Sequence, residues 1–117
     1  MKILKAKMSP LIFLFSITAC TTWTHEDAMR LFVEYRDASI VRKQNIEGLL
    51  NPRSAVILQN MHEVQPGVIE YTFEDKKAKW FTPAEAKCRF IVSAEKDTGT
   101  MIGWRYNGNP EYCADNP

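Results

Sequence analysis

The sequence predicts an α+β domain over residues 25–117, in which an N-terminal helical segment packs on a four- or five-stranded antiparallel meander. Three observations predict this class. Residues 25–50 lack proline and space their apolar residues as a helix does, residues 68–74 alternate between apolar and polar, and residues 96–99 carry a hairpin signal. A length of 117 residues allows one small domain, and 45% hydrophobic residues exclude a disordered chain.

Residues 1–19 have the order of a secretory signal peptide. Three lysines and no acidic residue come first, and the apolar run at residues 11–17 is followed by the small residues Thr18 and Ala19. The run is about half as long as the roughly 20 apolar residues that a membrane-spanning helix needs. We therefore expect a cleaved signal peptide, whose removal changes the formal charge from +1 to −2.

The leader ends in Ile17-Thr18-Ala19-Cys20, which resembles the lipobox of bacterial lipoproteins. The resemblance implies cleavage before Cys20 and lipidation of its sulfur, with residues 20–24 as anchor and short spacer. Two or three acyl chains hold a protein permanently on a membrane, whereas one does so only marginally. Thr21, in place of an aspartate, implies by the same resemblance the outer membrane, with the domain facing the periplasm. An ordinary secreted protein, in which Cys20 follows the cleavage site by coincidence, remains an alternative.

The predicted helix begins after Thr24, which can cap it, and acidic residues occupy its first turn. Apolar residues follow helical spacing to about Leu50, and Pro52 ends the segment. The apolar register shifts on the way, which allows a break near Ser39 or Asn45.

Downstream segments alternate in the manner of strands and are separated by turn residues. Strands are predicted at residues 56–64, 68–74, 89–94 and 101–107, with a short fifth strand at residues 78–81 that contains Trp80. Pro66-Gly67 and Lys96–Gly99 are the turns on which this assignment depends. A capping pattern at Thr82–Glu85 predicts one helical turn before Cys88.

Cys88 and Cys113 remain once Cys20 is lipidated. Export places them in an oxidising compartment, so a structural disulfide is expected. A redox pair or metal site is the alternative, but the sequence has no C-x-x-C motif, and His25 and His62, its only histidines, lie far apart along the chain. No metal and no cofactor are therefore expected.

The strand at residues 68–74 separates two sets of side chains. Ile69, Tyr71 and Phe73 are expected to face the helix. The opposite face is expected to be exposed and to contain Glu70, Thr72, Glu74 and Arg105. We predict this face, with the Asn107–Pro110 turn, as the region that contacts a partner. Ile102, Trp104 and Tyr106 share a strand face and are interpreted as core, with an exposed aromatic binding patch as the alternative.

The motifs favour binding over catalysis. The sequence has no G-x-S-x-G or H-E-x-x-H, and His62 and Glu63 are adjacent in a strand, so they point to opposite faces. The near-neutral charge argues against nucleic-acid binding.

We expect two partners: a membrane, through the anchor on Cys20, and a protein. The leading hypothesis is a non-enzymatic outer-membrane lipoprotein that acts by protein binding in envelope assembly or maintenance. The alternative is a periplasmic inhibitor or immunity lipoprotein that neutralises a cell-wall hydrolase or toxin.

Overall fold

The computed structural model describes residues 23–76 and 87–115, and these form an antiparallel sheet with helices on one face. The strands follow one another across the sheet in the order β1-β2-β3-β4. They comprise β1 (Val56–Gln65), β2 (Val68–Asp75), β3 (Arg89–Glu95) and β4 (Met101–Tyr106). The helices are α1 (His25–Val41), α2 (Glu47–Leu50) and a 3-10 turn at Pro110–Tyr112. The predicted α+β class and four-stranded meander are confirmed. The signal peptide, the Cys20 anchor, the strand expected at residues 78–81 and the helical turn expected at residues 82–85 lie outside the described residues.

The start of α1 is fixed by a reciprocal cap. The Thr24 hydroxyl accepts a hydrogen bond from the Asp27 amide at 3.1 Å, and the Asp27 carboxylate accepts one from the Thr24 amide at 3.1 Å. Two amides that the helix leaves without partners are satisfied in this way. The predicted start after Thr24 is therefore confirmed.

The prediction of a helix that continues to Leu50 is wrong, because α1 ends at Val41. Lys43 adopts a left-handed conformation with φ of 52°. The chain then pairs with the β3–β4 hairpin. The Met101 amide donates to the Gln44 carbonyl at 2.9 Å, and the Ile46 amide donates to the Gly99 carbonyl at 2.8 Å. These long-range hydrogen bonds replace helical ones, and the break lies near Asn45, one of the two expected positions.

Glycine is required at position 99 of the hairpin. Its φ is +77°, and a Cβ there would lie 2.8 Å from the Asn45 Oδ1 atom. Asn45 needs this close approach because its side-chain amide donates to the Thr98 carbonyl at 2.9 Å. The hairpin and the segment after α1 are therefore held together by Asn45.

The core lies between α1 and the inner face of the sheet, which we define as the face that carries Tyr71 and Phe73. Both side chains are buried, as predicted, and Phe32 of α1 is completely buried against them and their neighbours. The Phe32 ring centroid lies 5.5 Å from that of Phe90 and 5.8 Å from that of Trp104. Aromatic pairs at such distances add to the stabilisation by apolar burial.

The β4 aromatic residues belong to this core rather than to an exposed patch. Trp104 and Tyr106 are partly buried against it, and the Trp104 indole N–H donates to the Asp37 carboxylate at 2.8 Å. Ile102 does not share their burial and is 45% exposed. The register of β3 and β4 shifts beside Ala94, which directs Ile102 away from the core and makes its predicted place wrong.

The predicted disulfide joins Cys88 to Cys113, and both residues are buried. It fastens the C-terminal segment to the start of β3. The same segment contacts α1, because the Asp115 amide donates to the Ala28 carbonyl at 2.9 Å. The disulfide and this hydrogen bond together link the sheet layer to the helix layer at this end of the domain.

Candidate functional site

The predicted contact residues lie together on the outer face, which we define as the sheet face opposite α1. Glu70 is directly opposite Ser93 on β3, and Arg105 is directly opposite Ile91 on the same strand. The Arg105 guanidinium donates to both Glu70 carboxylate oxygens, at 2.6 and 2.8 Å. The pair is therefore bidentate and crosses β3 to join two strands that are not neighbours.

A second ion pair lies on the same face, towards the disulfide. The Arg89 Nε atom donates to the Glu74 carboxylate at 2.9 Å, and Thr72 lies on β2 between the two glutamates. Arg89 was not among the predicted contact residues. Its signal in the sequence is the alternation of β3, which directs Phe90 inward and therefore Arg89 outward.

The outer face is less exposed at its glutamates than the sequence predicts. The Glu70 side chain is 13% exposed and that of Arg105 is 55% exposed. The Glu74 side chain is 14% exposed, and that of its partner Arg89 is 50% exposed. A partner that approaches this face therefore meets two guanidinium groups before the carboxylates.

The Glu70–Arg105 pair sets the protonation state of this face. The hydrogen bonds from Arg105 are the main cause that holds the pKa of the Glu70 carboxyl below its usual value, and the pair raises the pKa of the Arg105 guanidinium. Because the pKa of Glu70 is lower in the folded state, the ionised Glu70–Arg105 pair stabilises the folded protein fully above the usual glutamate pKa of 4.5. That effect is lost as the pH falls through the lower folded-state value.

A groove of about 200 Å³ lies between α1, the segment at residues 44–49 and the inner face of the sheet. Val92 and Trp104 are among its lining residues, with Arg36 on one wall. The Arg36 guanidinium lies 4.7 Å from the Phe32 ring centroid and 5.1 Å from that of Phe90. Burial lowers the pKa of Arg36, and the Asp115 and Asp75 carboxylates oppose this. The groove is smaller than the roughly 300 Å³ at which small-molecule sites begin.

The two histidines are not brought together. His62 lies on the outer face opposite Glu70, whereas the His25 Nε2 atom lies 2.8 Å from the Glu111 carbonyl oxygen at the far end of α1. Among residues 23–76 and 87–115, no three His, Cys, Asp or Glu side chains are grouped so as to hold a metal ion. Within that same part of the chain, no helix combines the length and the apolar character that crossing a membrane requires.

Among the features of the described residues are a polar face built from two arginine–glutamate pairs, the small groove and a disulfide-closed core. No family model, curated protein or solved structure matches the chain.

Proposed function

We propose that this protein is a lipid-anchored lipoprotein of the bacterial outer membrane that faces the periplasm. It acts without catalysis, by binding another protein in envelope assembly or maintenance. The observation that carries the proposal is the leader, in which a basic segment, a short apolar run and the Ile17–Cys20 box follow one another in the order of a lipoprotein signal.

The position of the domain relative to this leader supports the proposal. Only residues 21–24 separate Cys20 from the first residue of α1. Even a fully extended chain advances at most about 3.6 Å per residue, so a lipidated Cys20 would keep the start of α1 within about 18 Å of the membrane surface. The chemistry of the outer face also supports a binding role, because arginine is enriched in protein interfaces.

Substitution Cys20→Ala should remove the protein from the membrane fraction, because no acyl chain can then be attached. We expect incorporation of labelled fatty acid to fall below detection and most of the protein to move to the soluble periplasmic fraction. Thr22→Ala is the matched control, since it lies two residues away and leaves the box intact. A Cys20→Ala variant that is still acyl-labelled and membrane-bound would contradict the anchor.

The contact face is tested by exchanging the charges of its central pair. In the double variant Glu70→Arg, Arg105→Glu, opposite charges still face each other, and an ion pair at the protein surface contributes about 1 kcal/mol or less. We expect the free energy of unfolding to change by no more than about 1 kcal/mol. Capture of the envelope partner from detergent extract, quantified by mass spectrometry, should fall at least tenfold.

The matched control exchanges another ion pair, Glu63→Lys with Lys96→Glu, whose atoms are 2.9 Å apart and whose glutamate is opposite Ile69, a residue of the inner face. This control should retain capture. If the Glu70–Arg105 exchange captures as much partner as the wild type, the outer face is not the contact surface. If the captured protein is a cell-wall hydrolase or toxin, the inhibitor alternative replaces the assembly role.

A further inference from the structure

The strand β1 leaves one edge of the sheet open. It pairs with β2 on one side, and no described element pairs with its other side. Nine of its ten residues are exposed. An open edge presents unpaired backbone amides and carbonyls, which is a template for pairing with another strand.

The exposed side chains of β1 are unusually apolar. Four of the nine exposed large hydrophobic residues in the described part of the chain lie on this strand, with exposed fractions from 38% to 49%. They are Ile57, Leu58, Met61 and Val64. They occupy both faces, because Ile57 is opposite Glu74 whereas Met61 is opposite Tyr71. A strand with one face in water alternates between apolar and polar residues. Apolar residues on both faces of β1 therefore favour burial of this strand by a partner.

We propose that β1 pairs antiparallel with β1 of a second copy of this chain, which joins two four-stranded sheets into one of eight strands. The charge pattern of β1 indicates which strand pairs with this open edge. Glu63 is the only acidic residue of β1, which contains no lysine or arginine, and the Lys96 ammonium neutralises it at 2.9 Å. A second β1 therefore offers an extended, apolar and nearly uncharged segment, which is the chemistry that this edge requires.

The register of this pairing follows from which side chains would be opposed. With the twofold axis at Met61, Leu58 is opposite Val64, and Glu63 is opposite Gln59. Two apolar residues then meet at Leu58 and Val64, and Ile57 meets Gln65. No like charges, which would be destabilising, face each other. The axis runs perpendicular to the sheet, so the inner faces of both copies stay on one side and Met61 meets Met61 there.

Two irregularities of β1 limit regular hydrogen bonding to its centre, whereas the side chains of Leu58 and Val64 meet on either side of it. The register against β2 shifts between Leu58 and Asn60 and again between Glu63 and Gln65. Bulges disrupt regular hydrogen bonding, so the undisturbed edge is the segment Asn60–Glu63, with Met61 inside it. Few backbone hydrogen bonds therefore join the two β1 strands. Anchoring of both copies on one membrane would favour the dimer, because it raises their effective concentration. The pairing itself does not depend on the anchor.

The test is disulfide trapping in the full-length protein under mild oxidation. Directly opposed residues of an antiparallel pair have Cα atoms about 4.5–5.5 Å apart, which is within reach of a disulfide. The Met61→Cys variant should therefore give a species of twice the monomer mass on a non-reducing gel, in more than half of the protein. The control is Ile102→Cys, which is 45% exposed against 49% for Met61 but lies on the opposite edge strand, and which should give at least fivefold less dimer.

A second variant keeps the test independent of cysteine chemistry. Met61→Lys would place two ammonium groups opposite each other at the axis and should lower the dimer fraction at least fivefold in analytical ultracentrifugation of the detergent-solubilised protein. Its melting temperature should stay near that of the wild type, since the side chain is exposed. A folded Met61→Cys protein that stays monomeric overturns the proposal, and so does a crosslinked species whose mass requires a different protein.

Discussion

Replacing Phe32 with alanine should lower the free energy of unfolding by about 4 kcal/mol, the range found for buried phenylalanines. Phe32 is completely buried, and its ring contacts those of Phe90, Trp104 and Tyr106 on the sheet. Truncation removes these ring contacts and leaves a cavity that the rigid sheet cannot fill. The Arg36 guanidinium also loses one of its two aromatic surfaces.

Urea unfolding followed by circular dichroism measures this effect as a lower midpoint at an unchanged slope. Tyr35→Ala is the matched control, because it removes an aromatic side chain from the same helix at a position that is 46% exposed. We expect the control to cost less than about 1 kcal/mol. Equal losses in the two variants would show that α1 is not packed on the sheet through Phe32.

Removing the Cys88–Cys113 disulfide should cost about 3.5 kcal/mol. The two cysteines are 25 positions apart, and the chain-entropy relation for a loop of that length gives about this value at 25 °C. The double variant Cys88→Ala, Cys113→Ala removes the bond without leaving a free thiol. Reduction of the wild-type protein should give a similar loss and avoids any change of side chain.

The control for this prediction is the double variant in reductant, whose stability should not fall further. Denatured wild-type protein should also show no thiol from Cys88 or Cys113 before reduction. A wild type that loses less than about 1 kcal/mol on complete reduction would contradict the expected effect of closing the loop.

Period-two alternation was sufficient to predict the faces of β2. Tyr71 and Phe73 point inward and Glu70 and Glu74 outward because neighbouring strand residues alternate whatever the sheet topology is. Alternation along a strand does not predict the ion pair between Glu70 and Arg105. Its partners lie on strands that do not touch, so the contact depends on strand order and on the exact register across β3.

Two other differences have the same physical origin in long-range contacts. The helix stops at Val41 because the segment that contains Asn45 pairs with the β3–β4 hairpin. The shift in the apolar register allows a break near Asn45 but does not show this pairing. Nothing in the sequence pattern singles out Arg36, whose guanidinium lies over the rings of Phe32 on the same helix and Phe90 on β3. The local sequence pattern therefore predicted the helix and the strands, whereas the contacts between them could be assigned only from the three-dimensional structure.

The contacts between the first turns of α1 and the C-terminal segment have a mechanical consequence. The Asp115 amide bonds the Ala28 carbonyl, and His25 lies 2.8 Å from the Glu111 carbonyl oxygen. A force that pulls on the chain just before Thr24 would load these hydrogen bonds together rather than peel α1 away turn by turn. The load would then pass through the Cys88–Cys113 bond into the central strand β3. The covalent bond thus lies on the load path between a tether at the start of α1 and the sheet.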